Sequence, residues 1–541
     1  MASHQPHVGR TLSLLPVVAV VVVVVVAGRS LWFYSDDWNI YTGYSTGNLL
    51  EPFNGHLSLV PVALYQLAFH ILGVGSYWPY RAWGLVGLAL LGYQIVRLTG
   101  ARVGWWAAGF AVTAVLWNEA GNTNLMFPFL MNFSIPLAAL LAIWWHLDEA
   151  FDQVEAGRSG ITHEVGASVW LAVALATSGL GIMAMGAVGV ELVISRAPVR
   201  RWLILAPGPV LWAAWFLTHR DSSEVSTDIG AVISYAARML LGGTTSLAAG
   251  WQPGGVVLLV LLASFIAVAG LRWRSLDARS LAALAAPLLF IAFTALTRLT
   301  ITPRIVPDEL RYRWTIAAYL VMAVVMMWRP SDADRATLRR TAPFAGAAVA
   351  VVLAVGAVRL GDGISDWVDQ VEAAIPGLRS STFATEAVGT ERVDPNIVLP
   401  LSFVVIRTGE YLDAVDDIGS PIDGMDPSTF RGNEDQNRIA DRLLVGQLPV
   451  SDAASSAPCR PGAAPSGSVT APPGSTVSVR TPGPGAEVEI ARFGDPPDGP
   501  VLALAAGDST IMIPADDRSV RDAGKDLGYR IPIPPGTFVC R

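Results

Sequence analysis

Two groups of residues in this chain have the types and spacing to do chemistry. The first is a pair of neighbouring carboxylates, Asp36 and Asp37, in the stretch WFYSDDWN at 32–39. The second is an arginine run in TITPRIVPDELRYR at 300–313: Arg304, Arg311 and Arg313, with Arg298 just before it. A positioned carboxylate can take the proton of an attacking hydroxyl. Guanidinium groups hold phosphate oxygens through paired, charge-assisted hydrogen bonds. Together they form a minimal set for moving a sugar from a lipid phosphate to an acceptor hydroxyl. The hydroxyl needs a base, and the leaving phosphate, already stable as an anion, needs cations rather than an acid. In an extended loop side chains alternate, which sets Arg311 and Arg313 on one side with Tyr312 between them. Neighbouring acids are also a set that a divalent cation would accept, and no other cofactor is implied. Each group has a plainer reading. The SDDW stretch could be a solvated helix end or cap, and the arginines could pair with Asp308, Glu309 or lipid headgroups.

The elements that must position these residues follow from composition. Of 541 residues, 52% are hydrophobic and only 15% charged, against about 25% charged in a soluble domain. Mean hydropathy is +0.46. The expected fold class is therefore mainly α, a polytopic transmembrane helical bundle. A bilayer core needs roughly 20 apolar residues per helix. Candidate spans fall near 11–31, 80–98, 103–118, 125–146, 166–178, 180–195, 201–218, 254–271, 279–298, 314–328 and 342–360, about eleven in all. The pair 166–178 and 180–195 is split by SGLG at 178–181. The first span reads as a retained signal-anchor, since its end, AGRSLWF, is a poor cleavage site.

With the N-terminus in the cytoplasm, Arg97 and Arg102, Arg196 to Arg201, Arg272 to Arg279, and Arg329 to Arg340 all fall in inner loops. That bias repeats the positive-inside rule four times. The arginines at 304–313 break it, being on the outer side with the acid pair. A rule kept at four loops and broken at one invites a functional reason. The segment HLSLVPVALYQLAFHILG at 56–73 is apolar but carries His56, Pro61, Gln66 and His70. It reads as an interfacial or re-entrant helix inside a long first outer loop, 32–79. His56 could orient an acceptor, touch phosphate, or be a satisfied structural residue. The outer loop NEAGNTN at 118–124 adds Glu119.

Beyond 360 the composition changes. Residues 361–455 are mixed, and 456–541 are rich in Pro, Gly, Ser and Thr, with short alternating runs such as TVSVRT, AEVEIARF and STIMIPA. These predict a connecting region followed by a small β-sandwich-like domain, both extracytoplasmic, after a membrane domain at 1–360. The only cysteines, Cys459 and Cys540, suit one disulfide in an exported domain. Closing a loop of that size is worth about 4–5 kcal/mol in the chain-entropy view. The net charge of −7 speaks against a nucleic-acid partner. No phosphate-loop, zinc-protease or nucleophile-elbow motif is present, which removes most support for ATP-driven transport and zinc proteolysis.

The layout resembles the GT-C superfamily of integral-membrane glycosyltransferases, which includes protein O-mannosyltransferases, lipid A aminoarabinose transferases and mycobacterial arabinosyltransferases. The residues that carry the resemblance are SDDW at 35–38, GHLSLVP at 55–61, LGVGSYWPYRAWGLVGLALLGYQIVRLTG at 72–100 and LRYRW at 310–314. It spans roughly residues 10–330. It implies a polyprenyl-phosphate-linked sugar as donor, a glycan or protein acceptor, and inversion at the anomeric carbon. Asp36 or Asp37 would be the base, Arg311 and Arg313 with Arg304 would hold the lipid phosphate, and Arg81 could also meet it. His56 stands where the mannosyltransferases have an H-P-P stretch, but the prolines are absent here. The implied activity is cell-envelope glycan assembly at the outer face of the cytoplasmic (inner) membrane. The rival reading is a transporter, flippase or scaffold for envelope polymers.

Overall fold

The computed structural model describes residues 6–43, 49–53, 55–219, 226–271, 273, 276–301, 305–329, 332–388, 395–399, 405–425 and 434–445. In the C-terminal region it describes 450–451, 459–461, 468–472, 475–481, 486–492, 501–504, 506–513, 529–532 and 538–540. Of the predicted site residues, Arg304 lies outside the described residues, as do the side chains of Cys459 and Cys540.

Helices dominate. In chain order they are α1 (Pro6–Ala27), α2 (Asp36–Gly43), α3 (Leu59–Leu72), α4 (Trp78–Arg102), α5 (Trp105–Leu116), α6 (Asn122–Met126), α7 (Met131–Glu155), α8 (Ile161–Thr177) and α9 (Leu180–Ile194). They continue with α10 (Val199–Leu205), α11 (Pro207–His219), α12 (Ile229–Leu247), α13 (Gln252–Leu271), α14 (Ala278–Arg298), α15 (Leu310–Met327), α16 (Asp332–Val388), α17 (Thr408–Ile418) and α18 (Glu434–Val445). Each of the eleven predicted spans is helical. Among the described residues, 7 helices are long and apolar enough to cross a membrane, or 8 if the bent pair α10–α11 is one span. The remaining three, α5, α8 and α9, are apolar but short, at 12, 17 and 15 residues. The chain is a multi-pass membrane protein. In lipid every backbone amide must be satisfied within its own helix, which is why such runs admit no other structure.

The breaks have local causes. Pro207 and Pro209 flank Gly208, and α10 and α11 meet there at 50°. At SGLG, Ser178 is extended and its hydroxyl accepts from Leu180 N at 3.3 Å, starting α9. The composition change near 360 does not end a helix: α16 runs on to Val388. Its buried Leu360, Ile364, Val371, Ile375 and Leu378 continue at helical spacing through the charged stretch.

Contacts divide the chain into two compact units. Unit 1 is Met1–Arg29, Asn48–Leu64 and Trp78–Trp367; unit 2 is Ser30–Gly47, Tyr65–Tyr77 and Val368–Arg541. Within unit 1, small residues allow helices to approach closely. A Cβ on Gly243 of α12 would lie 2.4 Å from the Ile316 side chain of α15. Unit 1 also buries a charge network. Arg279 gives 2.7 Å hydrogen bonds to both oxygens of Glu191 and a 2.9 Å bond to Asp148, which pairs in turn with Arg102. Glu164, fully buried, is held by Arg200 and Arg201.

The strands lie in unit 2: β1 (Val398–Leu399), β2 (Ile406–Arg407), β3 (Val450–Ser451), β4 (Cys459–Pro461), β5 (Ser468–Ala471), β6 (Thr476–Thr481), β7 (Ala486–Glu489), β8 (Val501–Leu504), β9 (Gly507–Met512), β10 (Tyr529–Pro532) and β11 (Phe538–Cys540). Five form one antiparallel sheet in the order β3-β9-β6-β11-β4, with β10-β5 and β7-β8 as two-stranded ladders. The register sets Cys540 opposite Cys459 in the backbone. The Arg492 guanidinium is fully buried, 5.0 Å from the ring centroids of both Phe383 and Tyr529.

The Arg279 network gives a stability test. Arg279→Ala leaves Glu191 buried without its cation, which should cost about 3–5 kcal/mol. Thermal unfolding of the full chain in detergent would show this as a large fall in midpoint. Pairing Arg279→Met with Glu191→Leu should recover most of it.

Candidate active site

The acid pair sits on a tight turn in unit 2. Asp37 N donates to Tyr34 O at 3.2 Å and Trp38 N to Ser35 O at 3.0 Å, so the chain reverses just as α2 begins. Ser35 carries the turn at φ 54, a left-handed conformation. For a residue with a side chain that costs about 1–2 kcal/mol and must be held by its surroundings. The surroundings are aromatic. Trp38 is fully buried and donates through Nε1 to Phe33 O at 3.2 Å. Its ring packs against Trp32, Phe33, Tyr41 and Tyr411.

The two aspartates occupy different environments. Asp37 is 0% exposed. Its Oδ1 accepts from the Tyr65 hydroxyl at 2.5 Å, and its Oδ2 from the Tyr77 hydroxyl at 2.5 Å and from Tyr34 N at 3.1 Å. Burial raises its pKa to about 7, while the Tyr65, Tyr77 and Tyr34 donors pull the other way. Asp36 keeps part of its side chain accessible. Sequence left the two interchangeable; the structure separates an accessible acid from an anchored one. Among the described residues no three His, Cys, Asp or Glu side chains come together as a metal site.

The arginines lie in unit 1, and their local structure departs from the sequence expectation. Arg311 and Arg313 are not on an extended loop but in the first turn of α15, which begins at Leu310. Two residues along a helix turn the side chain by about 200°, so the pair diverges instead of sharing a side. Arg311 bonds Glu309 at 2.9 Å and remains 31% exposed. Arg313 pairs with Glu119 and donates to Gly242 O at 3.4 Å. Burial raises the Glu119 pKa, and Arg313 and Arg359 offset this. Arg359 also donates to Ala249 O at 2.5 Å. Tyr312 is buried against Phe290.

His56 joins this sector. Its Nε2 lies 3.1 Å from Arg298 Nη2, an arrangement in which the guanidinium donates and the imidazole accepts. Burial, helped by Arg298, lowers the His56 pKa to about 4, so the ring is neutral at physiological pH. Arg238 pairs with Asp308 at 3.0 Å. Tyr235, whose pKa is raised by burial and then by Tyr312 and Glu309, lies within electrostatic reach of Arg298 and Arg311. Among the described residues, five guanidinium groups (Arg238, Arg298, Arg311, Arg313, Arg359) and three carboxylates (Glu119, Asp308, Glu309) take part in these pairings, two more positive than negative groups.

Arg81 is engaged elsewhere. It is 3% exposed and donates to Gly28 O and, at 2.7 Å, to Val24 O, closing the C-terminal end of α1. A Cβ on Gly28 would fall 1.7 Å from that guanidinium. Sequence reasoning missed Tyr65 and Tyr77, which read as ordinary aromatic residues of an apolar stretch. It also missed Arg359, whose only signal was its place at the end of an apolar run, and Arg238.

No family profile matches the sequence, and no curated protein matches it. Among solved structures, the chain is similar to ArnT from Cupriavidus metallidurans bound to undecaprenyl phosphate. The identity is 14%, over 80% of this chain and 91% of that one, with a TM-score of 0.45. It is also similar to the same protein in the apo state, at 16% identity over the same shares, with a TM-score of 0.46.

Asp37 sets a pH dependence. A carboxyl titrating near 7 when folded and near 3.8 when unfolded holds its proton longer in the folded chain. Its contribution to stability is complete below the unfolded value and is lost as the pH climbs to the folded one. The thermal midpoint should therefore fall as the pH rises from about 4 to about 7. In Asp37→Asn that part of the slope should vanish.

Proposed function

We propose that the chain is an inverting membrane glycosyltransferase of the GT-C kind. In this reading it moves a sugar from a polyprenyl-phosphate donor to an acceptor hydroxyl at the outer face of the cytoplasmic membrane, in cell-envelope glycan assembly. The observation that carries the reading is the arginine sector of unit 1, in which the described guanidinium groups outnumber the described carboxylates by two. A sugar phosphodiester carries one negative charge. The phosphomonoester that leaves carries up to two near neutral pH. Cations held in advance therefore stabilise the leaving group more than the bound donor, which is what accelerates a reaction.

Asp36, the accessible member of the acid pair, is the base in this reading. Its carboxylate takes the acceptor hydroxyl proton as the oxygen bonds to the anomeric carbon. The bond from that carbon to the phosphate oxygen breaks on the opposite face, and its electron pair leaves with the polyprenyl phosphate. Arg311, the half-exposed guanidinium on α15, meets the phosphate, with Arg298 and Arg313 adding to the field. His56, neutral and accepting from Arg298, orients that guanidinium without adding charge. Glu119 holds Arg313 in place.

The test is sugar transfer by the purified full chain in lipid, with polyprenyl-phosphate sugars as donors. Asp36→Asn should lower kcat by about 10²–10⁴. Arg311→Lys keeps the charge but loses the paired geometry, and should raise KM for the donor with a smaller effect on kcat. Full turnover in Asp36→Asn would exclude it as the base.

A further inference from the structure

Asp37 raises a question that its chemistry alone does not answer. This carboxylate, beside the accessible Asp36, has no surface of its own, and both its oxygens already accept hydrogen bonds from the protein. It is nevertheless an acceptor on which three separate stretches converge: Tyr34 from the segment after α1, Tyr65 from α3, and Tyr77 from the segment just before α4. All of these belong to unit 2. In its ionised form a carboxylate accepts at both oxygens, which lets one short side chain serve three donors at once. The turn it anchors is the one that holds Ser35 at φ 54 and sets the backbone of Asp36. Tyr77 is braced in turn by Phe33, with ring centroids 5.0 Å apart.

We propose that Tyr65 and Tyr77, acting through Asp37, are positioning residues that lock the Tyr34–Asp37 turn so that Asp36 meets the acceptor hydroxyl in one fixed geometry. The inference rests on the reading of the chain as a glycosyltransferase with Asp36 as base. It assigns Asp37 a supporting role with no contact to substrate. The two hydroxyls are its working partners, and neither touches the donor. Both bonds are as short as hydrogen bonds to charged oxygens become, so the hold is stiff. Stiffness matters because a small misplacement of a reacting group far from its own support can cost a hundredfold in rate.

The experiment uses the full chain in lipid with Tyr65→Phe, Tyr77→Phe, the double variant and Asp37→Asn. Each is assayed below its own thermal midpoint with a polyprenyl-phosphate sugar. Each single Phe variant should lower kcat about tenfold and leave KM for the donor within about twofold. Tyr65→Phe added to Asp37→Asn should lower kcat less than it does in the wild type, because the hydroxyl acts only through that carboxylate. A second readout is independent of turnover. A water-soluble carbodiimide with a small amine should modify Asp36 but not Asp37 in the wild type, and both in the double variant.

Variants that keep kcat, or that lose activity only in proportion to folded protein, would overturn the positioning role while leaving the enzymatic reading intact. Unchanged labelling in the double variant would also overturn it. A wild type that transfers no sugar from any polyprenyl-phosphate donor would overturn both.

Discussion

A carboxyl with no access to water must be given its hydrogen bonds by the protein, and around Asp37 much of unit 2 is arranged to do so. The penalty for an unsatisfied buried charge is larger than the gain from any single contact. Meeting it requires hydroxyls at two fixed points, Tyr65 and Tyr77, and a backbone amide at a third, Tyr34. That requirement ties together three stretches separated in sequence. The aromatic cluster of Trp32, Phe33, Trp38 and Tyr411 closes around them and keeps water out. Tyr41 extends the cluster by donating to Gly419 O at 2.7 Å. Glu386 repeats the device, accepting from the Tyr411 hydroxyl at 2.5 Å and from Ser420 at 2.7 Å.

Unit 1 obeys the same rule with the opposite charge. Its guanidinium groups fall into two classes. Arg81 and Arg279 are buried, with Arg81 Nη1 and Nη2 donating to the end of α1 and Arg279 donating to Glu191 and Asp148. Arg298, Arg311 and Arg238 keep part of their surface, Arg298 beside the neutral His56, Arg311 beside Glu309 and Arg238 beside Asp308. The second class is the more accessible to an anion from solution. The two classes of arginine therefore differ in burial and access, not in residue type.

The membrane architecture was largely legible in the sequence, because lipid leaves an apolar run few alternatives to helix. All eleven predicted spans are helical, including both sides of the SGLG break. Strands at TVSVRT, AEVE and YRIP were legible too, from alternation and turn residues. What failed was local geometry at element ends. Treating 310–313 as extended put Arg311 and Arg313 on one side. The helix that starts at Leu310 separates them, burying Tyr312 and leaving both arginines partly accessible. The acid pair could be found from its place after the first span, but the difference in burial and hydrogen bonding between its two members could not. That depends on hydroxyls 28 and 40 residues away, brought in by tertiary packing. Arg81 has the residue type and setting of a ligand, and nothing in the sequence signals that it is buried and donates to the carbonyls at the end of α1.

The left-handed backbone at Ser35 constrains how this turn could vary among related chains. Glycine and asparagine adopt that conformation readily, and serine tolerates it, whereas valine, isoleucine and threonine resist it. The two positions that follow sit in different surroundings: Asp36 is partly accessible, Asp37 is buried among tyrosines. A relative could therefore read G-D-D-W or N-D-D-W and keep the turn. One reading V-D-D-W, with the same two acids, would have to present them from a different backbone. The informative signature is the residue before the acids, together with two tyrosines far downstream.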